Sequence, residues 1–291
     1  MSRNPFLAIA SLAIVLPLTA LAPPPVQAQA AANGPTTHEY RILLVGNSLI
    51  YSNNLPAMLR AIGEAQGTPL VTRTFAAPGG KLSDRASDGF ASAELGRGHY
   101  DAILLQEQGG NLAVCVAGSS SSRKAPCAAS MRAYETFAKL AHAQGARVLL
   151  FSTWGPDRRW DQRTARSVGM IARKVDGQLF NAAEIIDTVR RAQPNDNPLP
   201  DGIHPNIHAS LALALALYRD ITGTTPVARD LRIRAPLYPA NIAVTPDRAI
   251  EEQAAIAGDG KVTVVPAALI APIIESLPPA SHEAQDSRHR P

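Results

Sequence analysis

Short apolar runs and longer amphipathic stretches alternate along the chain from Tyr40 to Asp220. The run Tyr40 to Val45 (YRILLV) carries too few polar positions for a strand with one wet face, so it predicts a buried strand. Leu55 to Ala65 places Leu55, Met58, Leu59 and Ile62 at the spacing of one helix face. Leu70 to Phe75 predicts a second strand, ending in Ala-Ala-Pro-Gly-Gly, and Asp101 to Leu105 (DAILL) a third. Ser130 to Gln144 is amphipathic with helical period, and Gly145 is the stop. Arg147 to Ser152 predicts a fourth strand, Arg163 to Val175 a helix and Gln178 to Ala182 a short fifth strand. Asn206 to Asp220, with its run ASLALALALYRD, predicts a strongly apolar helix.

Apolar strands separated by helices specify an α/β fold, a parallel sheet covered on both faces. Such sheets place ligand sites beyond the carboxyl ends of their strands. The positions to inspect are therefore Asn47 and Ser48, Gly79 and Gly80, Gln106 to Gly109, and Thr153 to Gly155 with Trp154 among them. After Thr225 the periodicity fades. Several prolines interrupt Pro226 to Pro246, and Pro266 and Pro272 break the apolar stretch Val262 to Ile274. The expected organisation is an α/β domain over 40–225 and an extension over 226–291. The extension wraps back over the core, and its polar end is disordered.

Composition changes the picture at the two ends of the charge question. With 46% hydrophobic and 18% charged residues in 291, the chain is of globular type. A net charge of +4 is scattered, with no Lys/Arg block suited to a nucleic-acid groove. The N-terminus is distinct. Arg3, the uncharged apolar stretch Phe6 to Ala22, the break at Pro23-Pro24-Pro25 and the small residues of VQAQAAA form the layout of a secretory signal peptide over 1–30. Cleavage is expected after Ala28 or Ala30, leaving a polar linker over 31–39. A retained anchor is the alternative, but the apolar run is near the short end of the roughly 17–25 residues needed to span. The mature protein is then secreted or periplasmic, without stable membrane insertion. In that oxidising setting the two cysteines, Cys115 and Cys127, either close the polar loop between them as a disulfide, the reading export favours, or remain free thiols. No Cys-x-x-Cys spacing is present.

The strand ends hold the parts of an acyl-transfer site. Ser48 follows Gly46-Asn47 at the end of the first strand. Alone it reads more readily as a helix cap than as a nucleophile. The later motif Asp201-Gly202-Ile203-His204-Pro205 supplies a histidine, able to take a serine proton near neutral pH, and an acid to hold its tautomer. Gly79 and Gly80 permit a close backbone approach to an oxyanion, and Gln106-Glu107-Gln108 could supply a side-chain amide. His204 and His208 lie four residues apart near Asp201. Pro205 sets the helix start after His204, so a shared metal is not the reading: His208 is a surface or packing residue, and no metal or cofactor is expected. His38, His99, His142, His282 and His289 have no partners in the sequence and read as solvated. Trp154 either lines a pocket or covers the core. Glu107 lies beside the site or is a surface charge, and Asn53 and Asn54 read as the entry to the first helix.

Together these motifs resemble the SGNH, or GDSL-like, hydrolase family. Its first block, Gly-Asp-Ser-Leu, is matched by Gly46-Asn47-Ser48-Leu49, and its fifth, Asp-x-x-His-Pro, by Asp201 to Pro205. The second-block glycine matches Gly80. The resemblance spans roughly Arg41 to Thr222. It implies a flavodoxin-like three-layer α/β/α sandwich, with Ser48 as nucleophile, His204 as general base and Asp201 orienting it. The Ser48 and Gly80 backbone N–H groups would form part of the oxyanion hole. The third block departs from the family's Gly-x-Asn-Asp. In LLQEQGGN, Gln108 lies nearest the donor position, Gln106 falls within the strand, and Asn111 lies further into the loop. Asn47, Gln106 and Trp154 are candidates for the substrate pocket. The expectation is an exported esterase acting on small-molecule or glycan esters, acetyl esters among them. A noncatalytic glycan-binding module and an O-acyltransferase are the alternatives.

Overall fold

The computed structural model describes residues 38–115, 125–254, 256, 258 and 260–280. The expected signal peptide, most of the linker, the polar segment between the cysteines, His282, His289 and the tail lie outside them.

Five strands form one parallel sheet: β1 (Tyr40–Gly46), β2 (Leu70–Ala76), β3 (Ala102–Gln106), β4 (Arg147–Ser152) and β5 (Gln178–Asn181), in the order β2-β1-β3-β4-β5. That is the flavodoxin-like order, whose topological switch point lies between β1 and β3. The alternation along β1 shows why it reads as a continuous apolar run. Ile42 and Leu44 enter one core layer, and Leu43 and Val45 the other, all fully buried.

Helices cover both faces. The first face carries α1 (Ser48–Tyr51), α2 (Leu55–Gln66), α8 (Ala182–Ala192) and α9 (Ile207–Thr222). The second carries α3 (Leu82–Asp88), α4 (Phe90–Arg97), α5 (Gly109–Ala113), α6 (Ala125–His142) and α7 (Arg158–Lys174). Five of these helices, α1, α3, α4, α5 and α8, were not expected from the periodicity. α3 and α4 are short and separated by Gly89 at φ +77°, so neither repeats an apolar face for long. α8 takes over directly from β5, and Ala182 belongs to the helix rather than to the strand. α7 begins earlier than its apolar pattern because Asp157 caps it, accepting from the Trp160 N–H at 2.8 Å. α6 also begins early, with Pro126 in its first turn, where a missing N–H costs nothing. Cys127 in that turn is joined to Cys115, Cα to Cα 5.5 Å. No helix among the described residues is long and apolar enough to cross a membrane.

The residues after Thr225 do not form a separate core. β6 (Leu231–Ile233) pairs antiparallel with β7 (Thr263–Val265), and β6 packs on α2. α10 (Ala267–Ser276) tolerates Pro272 and packs against α8 and α9. This cover explains α9, whose Leu211, Leu213, Leu215 and Leu217 are all buried although they do not share one helix face. The exposed edge of the sheet is covered too. A short turn at Ile250–Glu252 presents Glu251 to β2, where its carboxylate accepts from the Thr74 N–H (2.9 Å) and from the Thr72 and Thr74 hydroxyls (2.9 and 2.8 Å). A side chain thus takes a ladder donor that would otherwise invite another strand.

Candidate active site

The site begins where β1 ends. Gly46 lies against the side chain of Gln106 at the end of β3, and a Cβ on Gly46 would stand 2.4 Å from Gln106 Oε1. This close approach lets Oε1 accept the Asn47 N–H at 2.8 Å, while Gln106 Nε2 donates to the Glu107 carbonyl at 2.7 Å. Asn47 caps α1, with Oδ1 accepting from the Leu49 N–H at 3.1 Å, and its Nδ2 donates to the Gly80 carbonyl at 3.0 Å. Asn47 and Gln106 are therefore buried braces that place Ser48, and not walls of a substrate pocket as the sequence suggested. Gly46→Ala is expected to cost about 1–3 kcal/mol by overpacking. An unchanged urea midpoint would contradict this.

Ser48 is the first residue of α1, and its Oγ lies 3.0 Å from His204 Nε2. His204 Nδ1 lies 2.7 Å from Asp201 Oδ2. An ionised carboxylate only accepts, so Nδ1 carries the proton, and Nε2 is left as the acceptor for the serine hydroxyl. Asp201 Oδ1 also accepts from the N–H groups of Ile203 (2.9 Å) and His204 (2.7 Å), folding the loop around its own acid. Partial burial alone would raise the Asp201 pKa. The hydrogen bonds from the His204 N–H, the His204 ring and the Ile203 N–H outweigh it and bring the carboxyl down to about 2.

A depressed carboxylate pKa has a definite sign. Its stabilising contribution is complete above the ordinary value of 3.8 and is lost as pH falls toward about 2. Asp201 is thus expected to stay ionised through pH 4–5. Carboxyl-carbon NMR titration checks this, and a midpoint at or above 3.8 would refute it.

The His204 loop is held from two sides that the sequence did not reveal. Trp154 is buried against Phe151 and donates its indole N–H to the Ile203 carbonyl at 2.7 Å. Of the two readings of Trp154, core packing is the observed one, with a brace to the loop added. Asn53 donates from Nδ2 to the Pro205 carbonyl (2.7 Å) and to Ser210 Oγ (3.0 Å), joining the serine turn to the histidine loop. Asn53 and Asn54 have φ of +53° and +56°, conformations uncommon outside glycine but most accessible to asparagine. Asn54 caps α2, as an entry residue would. The pair of asparagines at positive φ was the available signal for Asn53, but no sequence rule links such a pair to a loop 152 residues away.

The remaining expectations fare unevenly. Glu107 is fully buried and not a surface charge: its Oε1 accepts from the Leu82 N–H (3.0 Å) and the Gln108 N–H (2.7 Å), tying the second-strand loop to the third. The Gly80 N–H closes a turn onto the Ala77 carbonyl at 3.0 Å, with Gly79 at φ +61° on its corner, so this donor is engaged within the loop. Gln108 is exposed, with its backbone N–H engaged by Glu107 and its side chain at the surface. Asn111 lies within α5. Two histidines expected to be solvated have partners: His38 meets Asp101 at 2.7 Å and His142 meets the Val175 carbonyl at 2.8 Å. No group of three or more His, Cys, Asp or Glu among the described residues is arranged to hold a metal ion.

No protein-family model and no curated protein matches the sequence. Solved structures do resemble it. A DUF4886 family protein from Bacteroides uniformis is 14% identical, with a TM-score of 0.52 over 64% of this chain and 84% of that one. The acetylxylan esterase Axe2 from Geobacillus stearothermophilus is 14% identical, with a TM-score of 0.47 over 65% of this chain and 97% of that one. TesA is 22% identical, with a TM-score of 0.45 over 62% and 97%. The likeness to the Bacteroides protein is one of fold.

Asp201 and His204 line a hollow of about 520 Å³. His204 and Asp201 form one wall, and Pro239 and Ala240 of the extension another. The extension is fastened there by the Tyr51 hydroxyl, which donates to the Ala240 carbonyl at 3.1 Å, and by the Asn53 N–H, which donates to the Tyr238 carbonyl at 3.0 Å. Burial raises the Tyr51 phenol to about 12, keeping it a donor at any physiological pH.

Proposed function

We propose that this chain is an exported serine esterase that hydrolyses small acyl esters, acetyl esters of carbohydrates among them, through Ser48, His204 and Asp201. The observation that carries the reading is the unbroken hydrogen-bonded chain Ser48 Oγ to His204 Nε2 (3.0 Å) and His204 Nδ1 to Asp201 Oδ2 (2.7 Å), set at the end of β1. His204 takes the Ser48 proton as Oγ attacks the acyl carbonyl. The tetrahedral oxyanion is met by the Ser48 N–H, which as a first-turn donor has no intrahelical acceptor, and the exposed Gln108 amide is the side-chain candidate for a second donor. His204 then protonates the departing alcohol, and water activated by the same imidazole releases the acyl group. No step calls for a metal or an organic cofactor.

The engaged Gly80 N–H and the exposed Gln108 favour a second reading, a noncatalytic glycan-binding module on the same fold. An organophosphonate separates the two. Esterase predicts a phosphonylated Ser48 peptide by mass spectrometry and turnover of short aryl esters, whereas an unlabelled serine and no turnover would overturn the reading. Product analysis with an added sugar acceptor distinguishes hydrolysis from acyl transfer.

A further inference from the structure

A second histidine–aspartate pair faces the same hollow. His208 Nδ1 lies 2.6 Å from Asp196 Oδ2, and both side chains are about one-third exposed, at 38% and 34%. Both line the hollow that His204 enters. The pair is not a continuation of the triad, because Asp196 belongs to the loop after α8 and His208 to the first turn of α9. The other carboxylate oxygen of Asp196 accepts from Asn206 Nδ2 at 2.9 Å, and Asn206 in turn caps α9 through the Ala209 N–H. Asp196 is therefore fixed, and it fixes the imidazole. By the same rule as at Asp201, the proton sits on Nδ1, so Nε2 offers a lone pair.

The position of the hollow gives that lone pair a use. Its walls include His204 but not Ser48. It adjoins His204, so the part of a leaving alcohol that extends past the base would enter it. An alcohol bearing further hydroxyls would find an oriented acceptor there, with the half-exposed Ile207 (43%) as an apolar neighbour. A simple aryl alcohol would not use it.

We propose that His208, positioned by Asp196, accepts a hydrogen bond from a second hydroxyl of a polyhydroxylated leaving group and so selects sugar esters over simple ones. This rests on the esterase reading for its catalytic consequence, but the contact itself does not require turnover.

The test uses the mature full-length protein and its His208→Ala and His208→Gln variants. Neither substitution removes the Asn206 cap of α9. Substrates are 4-nitrophenyl acetate and mono-O-acetylated methyl glycosides of glucose, galactose, xylose and N-acetylglucosamine. The same glycosides without acetyl groups serve as calorimetric ligands. Expected for His208→Ala is kcat/KM on 4-nitrophenyl acetate within about twofold of wild type. On the preferred glycoside ester it falls about tenfold, carried by KM, with a similar loss of affinity for the free glycoside, the scale of one lost hydrogen bond. His208→Gln, which keeps an acceptor, is expected to recover part of that loss. Equal losses on both ester classes would assign His208 a structural role and overturn the proposal, as would a glycoside ester untouched by His208→Ala. A wild type that binds glycosides through His208 yet hydrolyses no ester overturns the esterase reading alone. A wild type that neither binds nor hydrolyses overturns both.

Discussion

Ser48→Ala is expected to abolish ester turnover, lowering kcat on the order of 10⁴-fold or more, while leaving the protein folded. The loss is large because the Ser48 hydroxyl is the group aligned with His204, and the oxyanion donors that remain cannot supply a nucleophile. The fold should survive because the hydroxyl has little structural work at this position. The cap of α1 is Asn47, through the Leu49 N–H, and the contact from Ser52 Oγ goes to the Ser48 carbonyl, which alanine retains. Alanine is also the best helix former. Turnover of 4-nitrophenyl acetate and urea unfolding together read the two halves of this expectation. Full activity in Ser48→Ala would refute the mechanism, and a collapsed unfolding midpoint would refute the claim that the site tolerates the change. Asp201→Asn is expected to cost about 10⁴-fold as well, because an amide there no longer enforces the Nδ1–H tautomer.

A chain ended after Thr225 is expected not to fold. The missing residues include Leu231, Ile233, Tyr238, Ile250, Val265, Ile270 and Ile273, each buried in the first-face core. Burial of one such side chain contributes about 1.5–3 kcal/mol, and a whole domain is stable by only about 5–15 kcal/mol. Losing four or five of them is enough. The truncation also bares α9 and frees the edge of β2 that Glu251 covers, which favours aggregation. It removes the Tyr238, Ala240 and Pro236 carbonyls that hold Asn53, Tyr51 and Asn54, so any folded fraction should lack turnover. Soluble yield and circular dichroism of the shortened chain check this. A soluble, cooperatively unfolding, active 38–225 fragment would show that the extension is dispensable. Glu251→Ala gives a milder version, since it strands the Thr74 N–H at the sheet edge at a cost of about 1–3 kcal/mol.

The α/β architecture was legible wherever an element meets the solvent on one side or is buried on two. β1 announced itself because both its faces are covered, and α7 because one face is wet. α3, α4 and α8 were not legible, since helices of two or three turns beside glycines or a strand give a period too few repeats to register. The extension was expected to pack on the core, but its individual elements were hidden for a different reason. Its apolar residues are spaced to meet α2, α8, α9 and β2, not one another, so they follow no internal period.

The sequence by itself determined the chemical identity of the candidate triad. Serine after a strand-ending glycine, and an Asp-x-x-His-Pro whose proline keeps the histidine ahead of its helix, are local patterns, and local backbone geometry reads them. Asp201 and His204 are three residues apart, close enough for their pairing to be a turn property. Only the tertiary structure decided what surrounds them. It brought His204 to Ser48 across 156 positions, turned Gln106 and Trp154 from wall residues into braces, buried Glu107 and set His208 beside the hollow. Those outcomes depend on which side chain meets which backbone group once the sheet order is set, and such long-range hydrogen bonds leave no periodic trace in the chain.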